Sequence, residues 1–369
     1  MKTFIKILFI SIFFFLFSDL IIGKFLYKKF IKEQMVDVDT SFGVSDKTYD
    51  HKFVKNYDSI IGWGKSRYKL CTDNNGFRIA CDKKKKKLKK FDIGFIGDSF
   101  TEGLGYNYEQ TFVGIIEKKL TNKSIINLAN TSYSPSIYFT KINHLINNGY
   151  TFKEIIVFID LSDLPDDILC YQVKDEKVTR RSTYANCYDN LNSKKSFFSD
   201  LVEKNLKLTT ILLNFISKKF LQTKILNEKL NYNNLMNHSR SDWTYNYKKN
   251  HFSSLNLKDA LSISKKNMQD LHKLLNKNFI ELSIAVYPWP GTLKYDKIEN
   301  IHVKTWRDFC ENKCKNFYNF MPVFFNEIDK ESFYKSYTNL FIAGDVHFNA
   351  AGNKIIADEF LKKYRNKRN

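Results

Sequence analysis

Four short apolar runs constrain this chain more than any other feature. They lie at residues 93–96, 125–128, 155–159 and 282–287. Runs this short, with at most one polar residue each, read as strands buried on both faces. Helical patterns at 110–120, 134–148 and 258–276 separate them. In the second, Ser134 stands as N-cap, Pro135 at the first helical position and Gly149 as C-cap. In the third, Leu261, Met268, Leu271 and Leu275 share one face. Strands and helices alternating in this way imply a parallel sheet covered on both faces. Further helices are predicted over 302–317 and from 355–361, and Pro288-Trp289-Pro290 ends the fourth strand.

The first run ends in Gly97-Asp98-Ser99. A serine at the carboxyl end of a buried strand sits where open α/β sheets place their ligands. Its backbone N–H can also help hold an oxyanion. Read locally, the same residues also fit a plain β-turn whose serine caps the next helix. A serine hydroxyl is a weak nucleophile and needs a base within hydrogen-bond reach. His347 is the best candidate, with Asp345 two residues before it. On an extended segment both side chains face the same way. The carboxylate can then hold one ring nitrogen and leave the other to Ser99. His144, His272 and His302 fall in helical patterns and read as surface or packing residues.

The stretch GDSFTEG at 97–103 resembles the first motif of the SGNH, or GDSL, hydrolase family. Upstream, residues 73–78 (DNNGFR) resemble the Asn-x-x-Gly-hydrophobic-Arg stretch of its envelope members, with Asp73 in place of the first Asn. Residues 344–352 (GDVHFNAAG) resemble the family's last motif, which carries the Asp and His. The pair is spaced Asp-x-His, as in some polysaccharide acetyltransferase relatives, where the family usually has Asp-x-x-His. The resemblance covers residues 72–167 and 287–361 and is poor between them. It implies a flavodoxin-like three-layer α/β/α fold with a mostly parallel sheet.

The resemblance also implies a catalytic set of Ser99, Asp345 and His347, and an oxyanion hole from Ser99, Ser132 and Ser162. Two of these positions depart from the family. Ser132 stands where a glycine donates its N–H, and Ser162 where an asparagine donates its carboxamide. Losing one such donor typically costs ~10²–10³ in rate. Asn130, Ser162 or a bound water is expected to substitute. The chemistry needs no cofactor and no metal. Asp160, Asp163, Asp166 and Asp167 read as solvated helix-capping residues. The implied activity is hydrolysis of O-acyl esters, chiefly O-acetyl groups on an envelope polysaccharide. An O-acetyltransferase would use the same triad, and the two departures leave open a non-catalytic glycan-binding or assembly protein.

Residues 1–29 read as a signal-anchor or transmembrane helix, with Lys2 and Lys6 before an apolar run at 7–17. No small-x-small cleavage site follows. Asp19 is costly in lipid unless it lies near the interface. Lys24, Lys28, Lys29 and Lys32 on the far side argue against export by the positive-inside rule. Six cysteines argue for it: Cys71 with Cys81 and Cys170 with Cys187 would close small loops. Cys310 and Cys314 lie four apart on an expected helix, where a bridge needs distorted backbone. The expected placement is therefore the cytoplasmic membrane, with the domain on the extracytoplasmic side. Residues 30–70 lack periodicity and read as a stalk. Residues 71–369 form the hydrolase-like domain, with an insertion at about 170–255 carrying a helix over 200–220.

The net charge of +20 arises from 59 Lys and Arg against 39 Asp and Glu. Such a charge suits nucleic acid, anionic lipid or an acidic polymer. No RNA-recognition, zinc-finger or helix-turn-helix pattern accompanies it, so it reads as compositional, with no nucleic-acid partner. The lysine run at 83–90 reads as a solvated loop. The expected partners are an acylated polysaccharide or other ester, and the membrane.

Overall fold

The computed structural model describes residues 2–23, 25, 41–64, 66–82, 88–181, 205–209, 212, 235–249, 251–329 and 332–366. The chain divides into two compact units. One comprises Met1–Val38 with Asn192–Asn233, the other Asp39–Leu191 with Asn234–Asn369.

In the first unit an α-helix runs over Lys2–Ser18 and continues as a π-helical turn, Asp19–Gly23. The span Thr3–Gly23 has 21 residues and a mean hydropathy of 2.4, long and apolar enough to cross a membrane. The Asp19 carboxylate accepts from the Leu208 and Thr209 backbone N–H groups at 2.9 and 2.6 Å. The helix expected over 200–220 otherwise lies mostly outside the described residues.

Among the described residues, the second unit holds twelve strands. In chain order they are β1 (Gly43–Asp46), β2 (Asp50–Phe53), β3 (Asp58–Trp63), β4 (Ser66–Thr72), β5 (Arg78–Ile79) and β6 (Lys90–Ile96). Then come β7 (Ile125–Asn127), β8 (Thr151–Ile159), β9 (Tyr171–Lys174), β10 (Lys177–Arg180), β11 (Glu281–Val286) and β12 (Asn316–Asn319). Eight of them form one sheet, in the order β12-β11-β8-β6-β7-β5-β4-β3. The five strands from β12 to β7 are mutually parallel, and β5, β4 and β3 extend the sheet antiparallel. Numbered among themselves, the parallel strands run 2-1-3-4-5, the flavodoxin-like order. The order reverses between β6 and β8, and a ligand crevice is expected at their carboxyl ends.

Period-2 alternation sorts the side chains of β8. Ile155, Val157 and Ile159 join Met268 and Leu271 of the helix Leu257–Lys277, and Trp306 of the helix Ile301–Cys310, in one core. On the other face Phe158 stacks on Phe112, with ring centroids 4.6 Å apart, while Phe95 meets Phe360 of the C-terminal helix Ala350–Asn366 at 5.5 Å. Both faces of the sheet are thus covered by helices, giving three layers.

Several expectations change. The expected stalk at 30–70 carries β1 to β3 and most of β4. Their burial is irregular: β3 carries Asp58 and Trp63 exposed and buries only Ile61 fully. Such an edge strand has no clear period to read. The helix predicted over 302–317 stops at Cys310, and the chain then turns into β12. That early stop lets Cys310 and Cys314 approach to 4.7 Å between Cα atoms and form a disulfide, against the expectation from helical spacing. Cys71 and Cys81 are also bonded. Cys170 is buried, and Cys187 lies outside the described residues.

The Cys71–Cys81 bond closes a short loop at the antiparallel end of the sheet. A Cys81→Ser variant should lose about 2–3 kcal/mol of unfolding free energy. Urea unfolding followed by circular dichroism measures it; an unchanged midpoint would show that the crosslink does not constrain the unfolded chain.

Candidate active site

β6 delivers Ser99. The strand ends at Ile96, Gly97 makes the bend, and a single helical turn, Ser99–Glu102, follows. A Cβ on Gly97 would lie 2.9 Å from the Phe158 carbonyl oxygen on β8, so only glycine allows this approach. Asp98 caps the turn by accepting from the Phe100 N–H at 3.0 Å. Arg78, fully buried, donates to the carbonyls of Glu102 and Gly103 and to that of Tyr106. The DNNGFR stretch thus clamps the chain just beyond Ser99.

The loop before the C-terminal helix delivers the other two groups. His347 Nε2 lies 2.8 Å from Ser99 Oγ, and His347 Nδ1 lies 2.5 Å from Asp345 Oδ1. The same carboxylate oxygen accepts the His347 backbone N–H at 3.0 Å. Burial pushes the Asp345 carboxyl up, but the His347 hydrogen bond and charge outweigh it, with help from Trp63, and hold it at about 2. Trp63 Nε1, at the end of β3, donates to Asp345 Oδ2 at 2.5 Å. Phe100 lies tilted against the His347 ring at 4.7 Å, and Trp63 meets it edge-on at 5.6 Å. With Asp345 on Nδ1, Nε2 of a neutral ring is left to accept the serine proton.

Ser132 and Ser162 line the same cavity of about 310 Å³ as Ser99 and His347. Ser132 keeps the left-handed backbone that a glycine adopts freely, with φ 61°. Glu102, buried three residues after Ser99, holds that turn: its carboxylate accepts the Thr131 N–H and hydroxyl, both at 2.7 Å. Ser162, at the end of β8, donates its N–H to Asp160 Oδ1 at 2.7 Å. Asn130 lines an adjoining cavity of about 260 Å³ instead.

The aspartates after β8 are not solvated. Asp160, Asp163, Asp166 and Asp167 are all buried. Asp160 accepts from Trp289 Nε1 at 2.6 Å, Asp163 from the Tyr138 hydroxyl at 2.8 Å and Asp167 from the Ser134 hydroxyl at 2.7 Å. Asp166 pairs with Arg240. Ser134 therefore spends its hydroxyl on Asp167 and makes no side-chain cap. Asp98, Asp160 and Asp163 bring carboxylate oxygens within 4.8 Å of one another, the set among the described residues that could hold a cation. Burial and the nearby Asp160 charge push Asp98 well up; burial and the Asp98 charge do the same to Asp163.

Other cavity residues escape a reading by motif: Trp63, His238, Arg240 and Trp289. Trp63 comes from the expected stalk, and His238 and Arg240 from the expected insertion. The aromatic and polar crowding of 236–243 (MNHSRSDW) was the one available signal.

No protein-family model matches the sequence, and no curated protein sequence matches it. Several solved structures resemble it loosely. One is a catalytic mutant of an acetylxylan esterase from Geobacillus stearothermophilus, at 11% identity and TM-score 0.39, over 75% of this chain and 96% of that one. Another is a psychrotrophic esterase from Pseudoalteromonas sp., at 12% identity and TM-score 0.36, over 76% and 100%. A third is a member of the lipolytic G-D-S-L family from Veillonella parvula, at 11% identity and TM-score 0.34, over 73% and 96%. The architecture rests on this chain's own strand order, a three-layer α/β/α fold with a flavodoxin-like parallel core.

Proposed function

We propose that the protein is an SGNH-type serine esterase acting on O-acyl esters, with Ser99, His347 and Asp345 as its catalytic set. The hydrogen-bonded run from Ser99 Oγ through His347 to Asp345 carries this reading, set at the reversal point of the sheet. Ser99 Oγ attacks the acyl carbon while His347 Nε2 takes its proton. The carbonyl π pair moves to oxygen, held by the Ser99 and Ser132 backbone N–H groups. Collapse re-forms the carbonyl and expels the alcohol, which receives the proton from His347. Water then repeats the sequence on the acyl-enzyme and frees Ser99.

An acylated envelope polysaccharide is the substrate that the surroundings favour. The adjoining cavity shares Trp63, Leu104, Thr131 and Ser132 with the site and adds Phe42, Phe53 and Tyr68. Phe53 and Tyr68 are buried, but Phe42 and Trp63 keep part of their rings accessible, and such rings beside a scissile ester suit the face of a sugar. The apolar N-terminal helix and the disulfides fit a domain anchored on the extracytoplasmic side of a membrane. Acetate release from p-nitrophenyl acetate and acetylated xylan tests the activity. A wild type that releases none would reject it, and acetyl transfer to an added sugar in place of hydrolysis would move the assignment to a transferase.

Trp63→Phe tests the support beneath the acid. It removes the indole N–H and keeps an aromatic ring against His347. The expected result is a ~3–10-fold lower kcat, the ~0.7–1.4 kcal/mol net worth of one ordinary hydrogen bond, since this one is exposed and acts through the acid rather than on the reacting atoms. A loss above ~100-fold would assign Trp63 a larger role than holding Asp345.

A further inference from the structure

The serine at position 162 leaves a gap in the site. Its side chain is shorter than a carboxamide, and its N–H is spent on Asp160. His238 lines the same cavity. Its ring packs edge-on against Trp289, with centroids 5.2 Å apart. Trp289 Nε1 in turn donates to Asp160 Oδ2, while Ser162 holds Oδ1 of the same carboxylate. His238 is thereby keyed to the buttress that places Ser162 at the end of β8.

Two more contacts tie its segment to that loop. Arg240 pairs with Asp166, and Trp243 Nε1 donates to the Leu161 carbonyl at 2.8 Å. The His238 carbonyl accepts the Ser241 and Asp242 N–H groups, at 2.9 and 3.0 Å, and fixes the turn. His238 Nδ1 accepts the Arg240 backbone N–H at 3.3 Å, which leaves the ring proton on Nε2. Burial, with the charges of Arg240 and Lys249, holds the ring down to about 4, so it is neutral at pH 7. A neutral imidazole can donate one hydrogen bond and keep its proton.

We propose that His238 Nε2–H is the third oxyanion donor of this site, in place of the side chain that Ser162 lacks. The inference rests on the serine-esterase reading above. In the tetrahedral intermediate the charge sits on the former carbonyl oxygen. His238 donates to that oxygen without transferring a proton, alongside the Ser99 and Ser132 N–H groups. His347 alone moves the proton.

The test is steady-state kinetics on p-nitrophenyl acetate with the full chain. His238→Phe keeps the packing on Trp289 and removes the donor; kcat should fall ~10²–10³-fold with KM changed by less than about threefold. His238→Gln keeps an N–H donor and should retain most of the rate. Adding Ser162→Asn to His238→Phe supplies a carboxamide donor from the end of β8 and should recover at least ~10-fold. Thermal melting confirms that each variant is folded. A His238→Phe variant at wild-type kcat overturns the proposal. So does a loss in kcat that Ser162→Asn and His238→Gln both fail to relieve, since that marks a structural role. A wild type inert on the ester rejects the esterase reading itself and this inference with it.

Discussion

Ser99→Ala should reduce kcat on p-nitrophenyl acetate by ~10⁶-fold. That is the size of loss seen when the nucleophile of a serine triad is removed. The structure gives reasons to expect a folded variant. Ser99 Oγ contacts His347 Nε2 and, at 3.3 Å, Asp98 Oδ2. The turn itself is held by other groups: the Asp98 cap on Phe100, the Arg78 clamp and the Glu102 carboxylate. None of them uses the serine hydroxyl, so the melting temperature should move by no more than a few degrees. A fluorophosphonate should label the wild type at Ser99 and leave the variant unlabelled. Label found on the alanine variant, or turnover within ~10-fold of wild type, would mean that another group is the nucleophile. This outcome also separates an enzyme from a glycan-binding protein on the same fold, which no substitution at Ser99 would silence.

What the sequence made legible follows from how local each signal is. The strand before Ser99, its neighbours β7 and β8, the next strand β11 and the helix from Pro135 are each set by a run of apolar residues and its flanking caps. The Asp345–His347 pair spans only three residues and is readable as such. Ser99 and His347 are 248 residues apart, and only the motif order suggested their meeting. Trp63 was invisible because its role is a contact with Asp345 across 282 residues, from an edge strand with no clean period. His238 and Arg240 were hidden for the same reason, in a polar turn that is placed by Asp166, Leu161 and Trp289 rather than by its own pattern. The aspartates after β8 misled differently. Four acidic residues in eight positions look solvated, and it is tertiary donors, among them Trp289, Tyr138, Ser134, Asn267 and Arg240, that make their burial tolerable.

Asp345→Asn should lower kcat by ~10³–10⁴-fold at pH 7, because a carboxamide cannot satisfy every donor that meets this carboxylate. Oδ1 receives the His347 backbone N–H and ring Nδ1–H, and Oδ2 receives the Trp63 N–H. If the new amide oxygen stays toward His347, its NH₂ collides with the Trp63 N–H. If it turns toward Trp63, the NH₂ donates to Nδ1, moves the ring proton to Nε2 and leaves no acceptor for Ser99. Trp63→Phe removes the first conflict. The double variant Asp345→Asn with Trp63→Phe should therefore be faster than Asp345→Asn alone, although each substitution by itself slows the enzyme. Additive losses would show that Trp63 does not steer the amide. Stability carries a second signature. The Asp345 carboxyl is held at about 2 in the fold, below its ordinary value of 3.8. A depressed carboxyl stabilises the fold above its unfolded pKa and loses that contribution as pH falls through the folded one. The contribution is up to about 2 kcal/mol at pH 7. The wild type should exceed Asp345→Asn by that margin at neutral pH, and the two unfolding curves should converge as pH falls from about 4 to about 2. Curves that stay parallel over this range would show that the carboxylate gains nothing from His347 in the folded protein.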